Sequence, residues 1–397
     1  MEMSSLSSEW HIYKLGDPEI CRLNPKKCEI ASVPDDTEVS FVPMANVDET
    51  TGTMDTTLCR KLGEVRKGYS YFAEKDIVFA KITPCMENGK SAIAQGLKNE
   101  IGFGTTEFHV LRPGPLVISE WLHVFVRRLD FRKAAKESMQ GAAGQQRVPI
   151  DFLRESEIPV PPIEEQRRIV SRIEELTRRV DEARRLGFEI EDNLDLFMKA
   201  AYYRMIGNVE WKPLKELATL VRRGIQTKPD GEYEEMGVRS FGKGTFRKPI
   251  LTGRQIGTKR IYCLHEGDLV FNNVFAWEGA IAVTQAEDHG RVGSHRFIAY
   301  VPHQGKATSE FLCHHFLSEK GLQDIGAASP GSAGRNRTLG LEKLKNINVP
   351  VPNYQKQFLF SEIAKRRRQV QRESATIRQK LVTYETAVIA KAFRGEL

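Results

Sequence analysis

The chain lacks the short signatures from which catalytic sites are usually read. Two stretches approach a phosphate-binding loop and both fail. Gly237-Val238-Arg239-Ser240-Phe241-Gly242-Lys243 is followed by Gly244 where a Ser or Thr should meet magnesium, and Pro84 stands where Gly89-Lys90-Ser91 needs its leading glycine. Gly102-Phe103-Gly104 and Gly242-Lys243-Gly244 miss the third glycine of a dinucleotide fingerprint. Asn272-Asn273-Val274-Phe275 has neither proline of an amino-methyltransferase motif. Glu210-Trp211-Lys212 has no upstream Pro-Asp to complete a nuclease centre of the PD-(D/E)xK type, and its Trp matches Trp10 in a repeat described below, which suggests packing. No Ser/His/Asp or Cys/His set stands out. Together these absences argue against chemistry performed by this chain.

Cysteine is sparse and badly spaced for metal. The six residues, at 21, 28, 59, 85, 263 and 313, form no CxxC pair and read as reduced structural thiols. Cys313-His314-His315 resembles a ligand group but lies on an amphipathic stretch with Phe311, Leu312, Phe316 and Leu317, so helix packing is the better account. Long apolar runs are missing too, and the polar start from Met1 to Ser8 is no signal peptide, so a cytoplasmic protein is expected.

What is present is a duplicated plan. With 397 residues there is room for two or three domains, and a net charge of +7 suits contact with a polyanion without requiring it. From Ile163 to about Met205 the chain runs without proline. Apolar or small residues recur at steps of four and three: Ile169, Ile173, Leu176, Val180, Ala183, Gly187, Ile190, Leu194, Phe197 and Ala201. Such a helix is roughly 60 Å long, and its apolar seam needs a partner. Residues 350–397 supply one, with Phe360, Ile363, Val370, Ile377, Leu381, Tyr384 and Val388. The two segments also finish alike, Ala201-Tyr202-Tyr203-Arg204 against Ala392-Phe393-Arg394-Gly395, and an antiparallel intramolecular coiled coil is expected.

The regions ahead of each helix repeat at an offset of about 190 to 200 residues. Glu9-Trp10-His11 recurs as Glu210-Trp211-Lys212, and Glu74-Lys75-Asp76-Ile77-Val78-Phe79 as Glu266-Gly267-Asp268-Leu269-Val270-Phe271. Gly104 to Val110 recurs as Gly293 to Ala299, and Ser119-Glu120-Trp121-Leu122 as Ser309-Glu310-Phe311-Leu312. Each half should hold short strands (Asp76–Ala80, Phe108–Leu111; Leu269–Asn272, Arg296–Val301), one amphipathic helix near 119–136 or 309–322, and a small-residue loop. The expected outcome is a pseudo-twofold rod with a globule at each end.

Each small-residue loop ends in strong hydrogen-bond donors: Gln145, Gln146 and Arg147 in the first half, Arg335, Asn336 and Arg337 in the second. Arg, Asn and Gln are the side chains that read guanine and adenine edges in pairs of hydrogen bonds. Further polar or aromatic groups cluster in turns: Lys81, Thr83, Asn88, Lys90 and Thr106, then Asn272, Asn273, Trp277, His295 and Arg296. Any one of these alone is best read as a solvated loop residue. As two matched sets on a basic, duplicated chain they favour two DNA-binding faces. The run Lys365-Arg366-Arg367-Arg368 is open between a solvated helix face and a track for phosphates.

The lead-ins to the two helices carry a resemblance. Ile158-Pro159-Val160-Pro161-Pro162-Ile163-Glu164-Glu165-Gln166 and Val349-Pro350-Val351-Pro352-Asn353-Tyr354-Gln355-Lys356-Gln357 resemble the proline-proline-x-x-Glu-Gln start of the conserved helices in the specificity (S) subunits of type I restriction-modification systems, the HsdS family. Lys356 replaces the acidic residue in the second copy. The stretch Ala390-Lys391-Ala392-Phe393-Arg394-Gly395-Glu396-Leu397 is similar to the family's usual ending. The resemblance implies a mixed α/β fold of two pseudo-twofold-related α+β target-recognition domains (1–160 and 208–350) joined by two long antiparallel coiled-coil helices (161–207 and 351–397). It implies that each domain reads one half of a bipartite double-stranded DNA target while the helices set the gap. The implied partners are two methyltransferase (M) subunits, which bind S-adenosylmethionine, and restriction (R) subunits, which use ATP and magnesium; this chain binds no cofactor or metal and contacts no membrane. Two other readings stay open: a DNA methyltransferase or endonuclease with an unrecognised site, and a coiled-coil scaffold that does not read DNA.

Overall fold

The computed structural model describes residues 10–142, 144–331 and 337–397. The chain divides into two compact units, Met1–Leu186 with Thr376–Leu397, and Gly187–Ala375. Two uninterrupted helices, Ile163–Ile206 and Tyr354–Ala392, give one end to each unit.

The first unit holds an antiparallel sheet in the order Cys21–Leu23, Phe108–Pro113, Ile77–Ala80, Ser91–Ile93. A second sheet runs Cys59–Lys61, Glu38–Val42, Ile101–Gly104, Ser70–Ala73, with its middle two strands parallel. A two-stranded ribbon pairs His11–Lys14 with Glu157–Val160. The second unit repeats this. Ala218–Val221, Phe297–Pro302, Leu269–Asn272 and Ile281–Val283 form the antiparallel sheet, and Trp211–Pro213 pairs with Asn348–Pro350. Its other sheet has five strands, Arg223–Ile225, Ile261–Cys263, Val292–Ser294, Glu232–Val238 and Thr245–Thr252, again with one parallel pair. The central strands Ile77–Ala80 and Leu269–Asn272 are short apolar runs because both faces are covered. Each begins at a buried aspartate that accepts a backbone N–H and meets an arginine: Asp76 with Arg112 (2.7 Å, twice) and Asp268 with Arg223 (2.6 and 3.1 Å).

One expectation needs correction in both halves. The single amphipathic helix near 119–136 is two, Ser119–Arg127 and Leu129–Glu137, and that near 309–322 is likewise Ser309–Leu317 and Glu319–Ala328. The breaks fall at Arg128 and Ser318, each with an extended ψ, at the repeat offset. Neither glycine nor proline marks them. Only Ser318, whose Oγ accepts from Gly321 N, carried a capping signal.

The Pro-bounded lead-ins work through one buried amide each. Gln166 Nε2 donates to Leu116 O and Pro161 O (both 2.8 Å) while its Oε1 accepts from Ile118 N (3.0 Å). Gln357 does the same to Lys306 O (3.1 Å) and Pro352 O (2.8 Å), accepting from Thr308 N (3.2 Å). Both glutamines are buried, so each clamps the first turn of a long helix to the segment leading into the Ser119 or Ser309 helix. The matching helix ends dock in matching ways. Phe393 stacks on Trp121 with ring centres 4.3 Å apart in the first unit, and Tyr202 packs on Phe311 at 5.8 Å in the second. Truncating such a buried ring costs about 3–5 kcal/mol.

Within each unit the long helices pack on one another along a seam that differs from the expected one. Ile169, Ile173, Val180 and Val388 are buried in the first unit, and Met198, Tyr202, Phe360 and Ala364 in the second. Between these ends the inner row passes through polar groups. Arg184 pairs with Glu385 at 2.5 Å, and Gly187 faces Ser374. Ala183, Ile190 and Phe197, expected in the seam, are exposed, as are Ile377 and Tyr384. The spacing Leu176, Val180, Arg184 takes two successive steps of four, which rotates the seam by one position. The basic run Lys365–Arg368 also resolves: Arg368 is held by Glu310 (2.5 and 2.6 Å), Arg367 by Asp195 and Lys365 by Glu362, while Arg366 donates to Gln369. Arg367 and Arg368 thus brace the long helix, while Lys365 and Arg366 stay exposed with bonds only along their own helix.

Candidate nucleic-acid interface

In the first unit three stretches far apart in sequence close into one rim. Lys81 follows the central strand; its N–H donates to Glu107 O and its carbonyl accepts from Val148 N, both at 2.9 Å. Thr83 N donates to Gln146 O (3.1 Å), and bridges join Arg147 to Ile82 and to Gln140. Lys81, Thr83, Thr106, Gln145, Gln146 and Arg147 are thereby brought together. Arg147 is not free: it grips Glu107 with two 2.9 Å bonds, and Nη1 donates to Gln145 O. That grip holds the Glu107 carboxyl below its usual range. Sequence reasoning gives no sign of Glu107, because an acidic residue is a poor DNA ligand; in the structure it is the ion-pair partner of Arg147.

Two residues of the first set behave otherwise. Lys90 turns inward, donating to Met44 O (3.2 Å) and Val47 O (2.8 Å) beside Glu49, and so fastens the loop after Glu38–Val42. Asn88 is exposed at the end of the Cys85–Asn88 turn, outside the bonded rim.

The second unit reproduces the frame. Asn273 N donates to Arg296 O (2.9 Å) and Asn273 O accepts from Leu339 N (2.8 Å), the counterparts of the two Lys81 bonds. The side chains differ. Asn272 Oδ1 accepts from Val274 N and stabilises its own turn. Trp277 Nε1 donates to Val274 O, and the Arg337 guanidinium lies 5.1 Å from the Trp277 ring centre. Asn273 Oδ1 is buried with no hydrogen-bond partner among the described residues. His295 and Arg296 are exposed in the turn that Asn273 binds. Arg335 and Asn336 lie outside the described residues.

Near this frame, Cys313 and His315 are buried in their helix, as packing residues would be. His315 Nδ1 is 2.7 Å from the Tyr202 hydroxyl, and burial pushes the ring's pKa down to about 4. Among the described residues no group of three or more His, Cys, Asp and Glu could hold a metal ion, and no helix is long and apolar enough to cross a membrane.

Residues 7–191 match the family model described as the type I restriction modification DNA specificity domain. Over these residues the chain is similar to that family. The EcoAI specificity subunit of Escherichia coli is 42% identical over 164 residues, which are 41% of this chain and 27% of that protein. The EcoEI specificity subunit of Escherichia coli is 41% identical over 159 residues, 40% of this chain and 26% of that protein. The match thus spans about a quarter of the curated relatives' length.

Solved structures extend the likeness in fold to nearly the whole chain. The HsdS subunit from Thermoanaerobacter tengcongensis superposes with a TM-score of 0.60 at 20% identity, covering 99% of this chain and 98% of that one. A chain from a structure titled for complex assembly and conformational transition of the type I R-M system gives 0.67 at 20% identity, covering 99% of both chains. The S subunit from M. genitalium gives 0.51 at 13% identity, covering 97% of this chain and 96% of that one. The match over residues 7–191 and the fold over the whole chain are thus both similar to those of type I specificity subunits.

Proposed function

We propose that this chain selects the DNA sequence for a type I restriction-modification complex, each unit reading one half of a bipartite target. Segments 1–160 and 208–350 act as target-recognition domains. Segments 161–207 and 351–397 fix the gap between half-sites and dock two methyltransferase subunits, with restriction subunits joining them in the cytoplasm. S-adenosylmethionine, ATP and magnesium belong to those partners. The observation that carries this reading is a backbone frame built twice, at Lys81 and at Asn273, with a different polar rim on each copy. Invariant frame with variable rim is what reading two unrelated half-sites requires. The rims comprise Lys81, Thr83, Thr106, Gln145, Gln146 and Arg147, then Asn273, Trp277, His295, Arg296 and Arg337. Asn88 is an outlying contact, Arg335 and Asn336 extend the second rim by sequence, and Lys90 and Asn272 support their loops.

Methylome sequencing of a host with and without the chain tests this directly. A split methylated motif should appear only with it. One heptad inserted after Arg184 and one before Glu385 should then lengthen the gap by about 10 Å, or about three base pairs, leaving both half-sites intact. A continuous motif, or an unchanged gap, would refute the reading.

A further inference from the structure

The glycine-rich stretch that fails as a phosphate loop forms the tip of the hairpin Glu232–Val238/Thr245–Thr252. At that tip Phe241 is 74% exposed, more than any other large apolar residue described. Its φ is +61°, in the left-handed region that bulky side chains avoid, and Gly242 (+64°) and Gly244 (+75°) follow in the same turn. Glycine at 241 would relieve both costs. A phenylalanine held there against conformation and solvation points to use of the ring.

The ring is presented from a pinned backbone. Phe241 N donates to Glu278 O (2.8 Å), Gly242 N to Gly279 O (2.9 Å), and Ser240 Oγ to Glu278 Oε2 (3.0 Å). The turn that receives these bonds, Ala276–Glu278, also carries Trp277, the residue beneath Arg337. The tip is cationic: Lys243 Nζ lies 5.9 Å from the Phe241 ring centre, and Arg239 stacks over Phe246 at 5.2 Å. An exposed ring beside one cation, with a second on the same hairpin and a donor-rich rim next to it, matches what a polyanion with apolar base surfaces would engage.

We propose that Phe241 makes an apolar base contact in the half-site read by the second unit, with Lys243 and Arg239 steering the tip onto the phosphates. This rests on the DNA-reading function above and adds a specificity residue to it. In the first unit the corresponding connection, residues 43–58, is fastened back by Lys90 and by Arg127, which donates to Glu49 O and Thr50 O. The contact is therefore specific to one half of the target.

The test compares the full chain with Phe241→Ala and Phe241→Gly, each assembled with its methyltransferase subunits. The glycine variant suits the left-handed turn and guards against misfolding. Both variants should lose selection at one or two base pairs of one half-site in the methylome, keeping the other half and the gap. Affinity for the intact target should drop about tenfold, with no change on a duplex whose second half-site is scrambled. An unchanged motif and affinity would overturn the contact. So would loss of methyltransferase association with selection intact in what remains assembled, which would make the tip a protein-docking element. If the unmodified chain selects no split sequence, the underlying function fails with it, and that result is distinct from either.

Discussion

The two units share their fastenings and differ at their rims. Gln166 and Gln357 make the same three hydrogen bonds, and Lys81 and Asn273 anchor the same two crossings. Yet the first rim closes Arg147 onto Glu107, whereas the second sets Arg337 over Trp277. Even the buried aspartates take their arginines from different strands, Phe108–Pro113 in one unit and Arg223–Ile225 in the other. Backbone ties tolerate any side chain that leaves the N–H and C=O in place, so they persist through divergence. In the proposed function each rim can change to suit new bases, because those ties do not depend on its side chains.

The largest effect should come from the shared fastenings. Gln166→Leu and Gln357→Leu each leave a half-buried backbone N–H and two carbonyls without their partner, and each should cost its unit about 2 kcal/mol. Thermal unfolding of the full chain checks this. Comparable losses would uphold the equivalence of the lead-ins, while a silent variant on either side would break it.

A smaller asymmetry should appear in acid. Burial lowers the folded pKa of His315 to about 4, below the unfolded value near 6.5. Its neutral form therefore contributes stability that is full above about pH 6.5 and is lost as pH falls toward 4. The loss from this one group is about 2 kcal/mol by pH 4.5. The first unit has Phe125 at the equivalent position, so His315→Phe should flatten the acid limb of the second unit's melting curve. An unaltered slope would show that other groups, His314 among them, set it.

The smallest effects separate the rims. Arg337→Ala should weaken binding to the intact target about tenfold through one half-site, as expected for loss of a base-reading arginine. Arg147→Ala should do less, because in the free protein that arginine is already committed to Glu107 and must exchange one partner for another. Competition binding with half-site-scrambled duplexes distinguishes them. A larger loss at Arg147 would mean the Glu107 pair positions the arginine for DNA and does not restrain it.

Much of this was legible in the linear chain. The repeat was visible because core strands such as Ile77–Ala80 and Leu269–Asn272 need continuous apolar runs, and the long helices because their periodicity is unbroken by proline. The matched helix ends were visible because Phe393 and Tyr202 fill equivalent pockets. The seam's centre was misjudged because apolar spacing cannot reveal a polar pair such as Arg184 and Glu385 taking the inner position. Lys90 and Asn272 looked like surface ligands because nothing local says whether a donor will find a carbonyl across the fold. Phe241 went unnoticed because an exposed ring in a left-handed turn has no periodic signature.

Local pattern by itself determined the duplication, the helices, the apolar strands and the family resemblance, since each depends on near neighbours and on a spacing that repeats. Tertiary structure alone decided which charges are spent internally, where each helix is clamped, and which polar groups share a rim. Those outcomes depend on groups tens to hundreds of residues apart meeting within hydrogen-bond range, and one-dimensional order carries no distance between them.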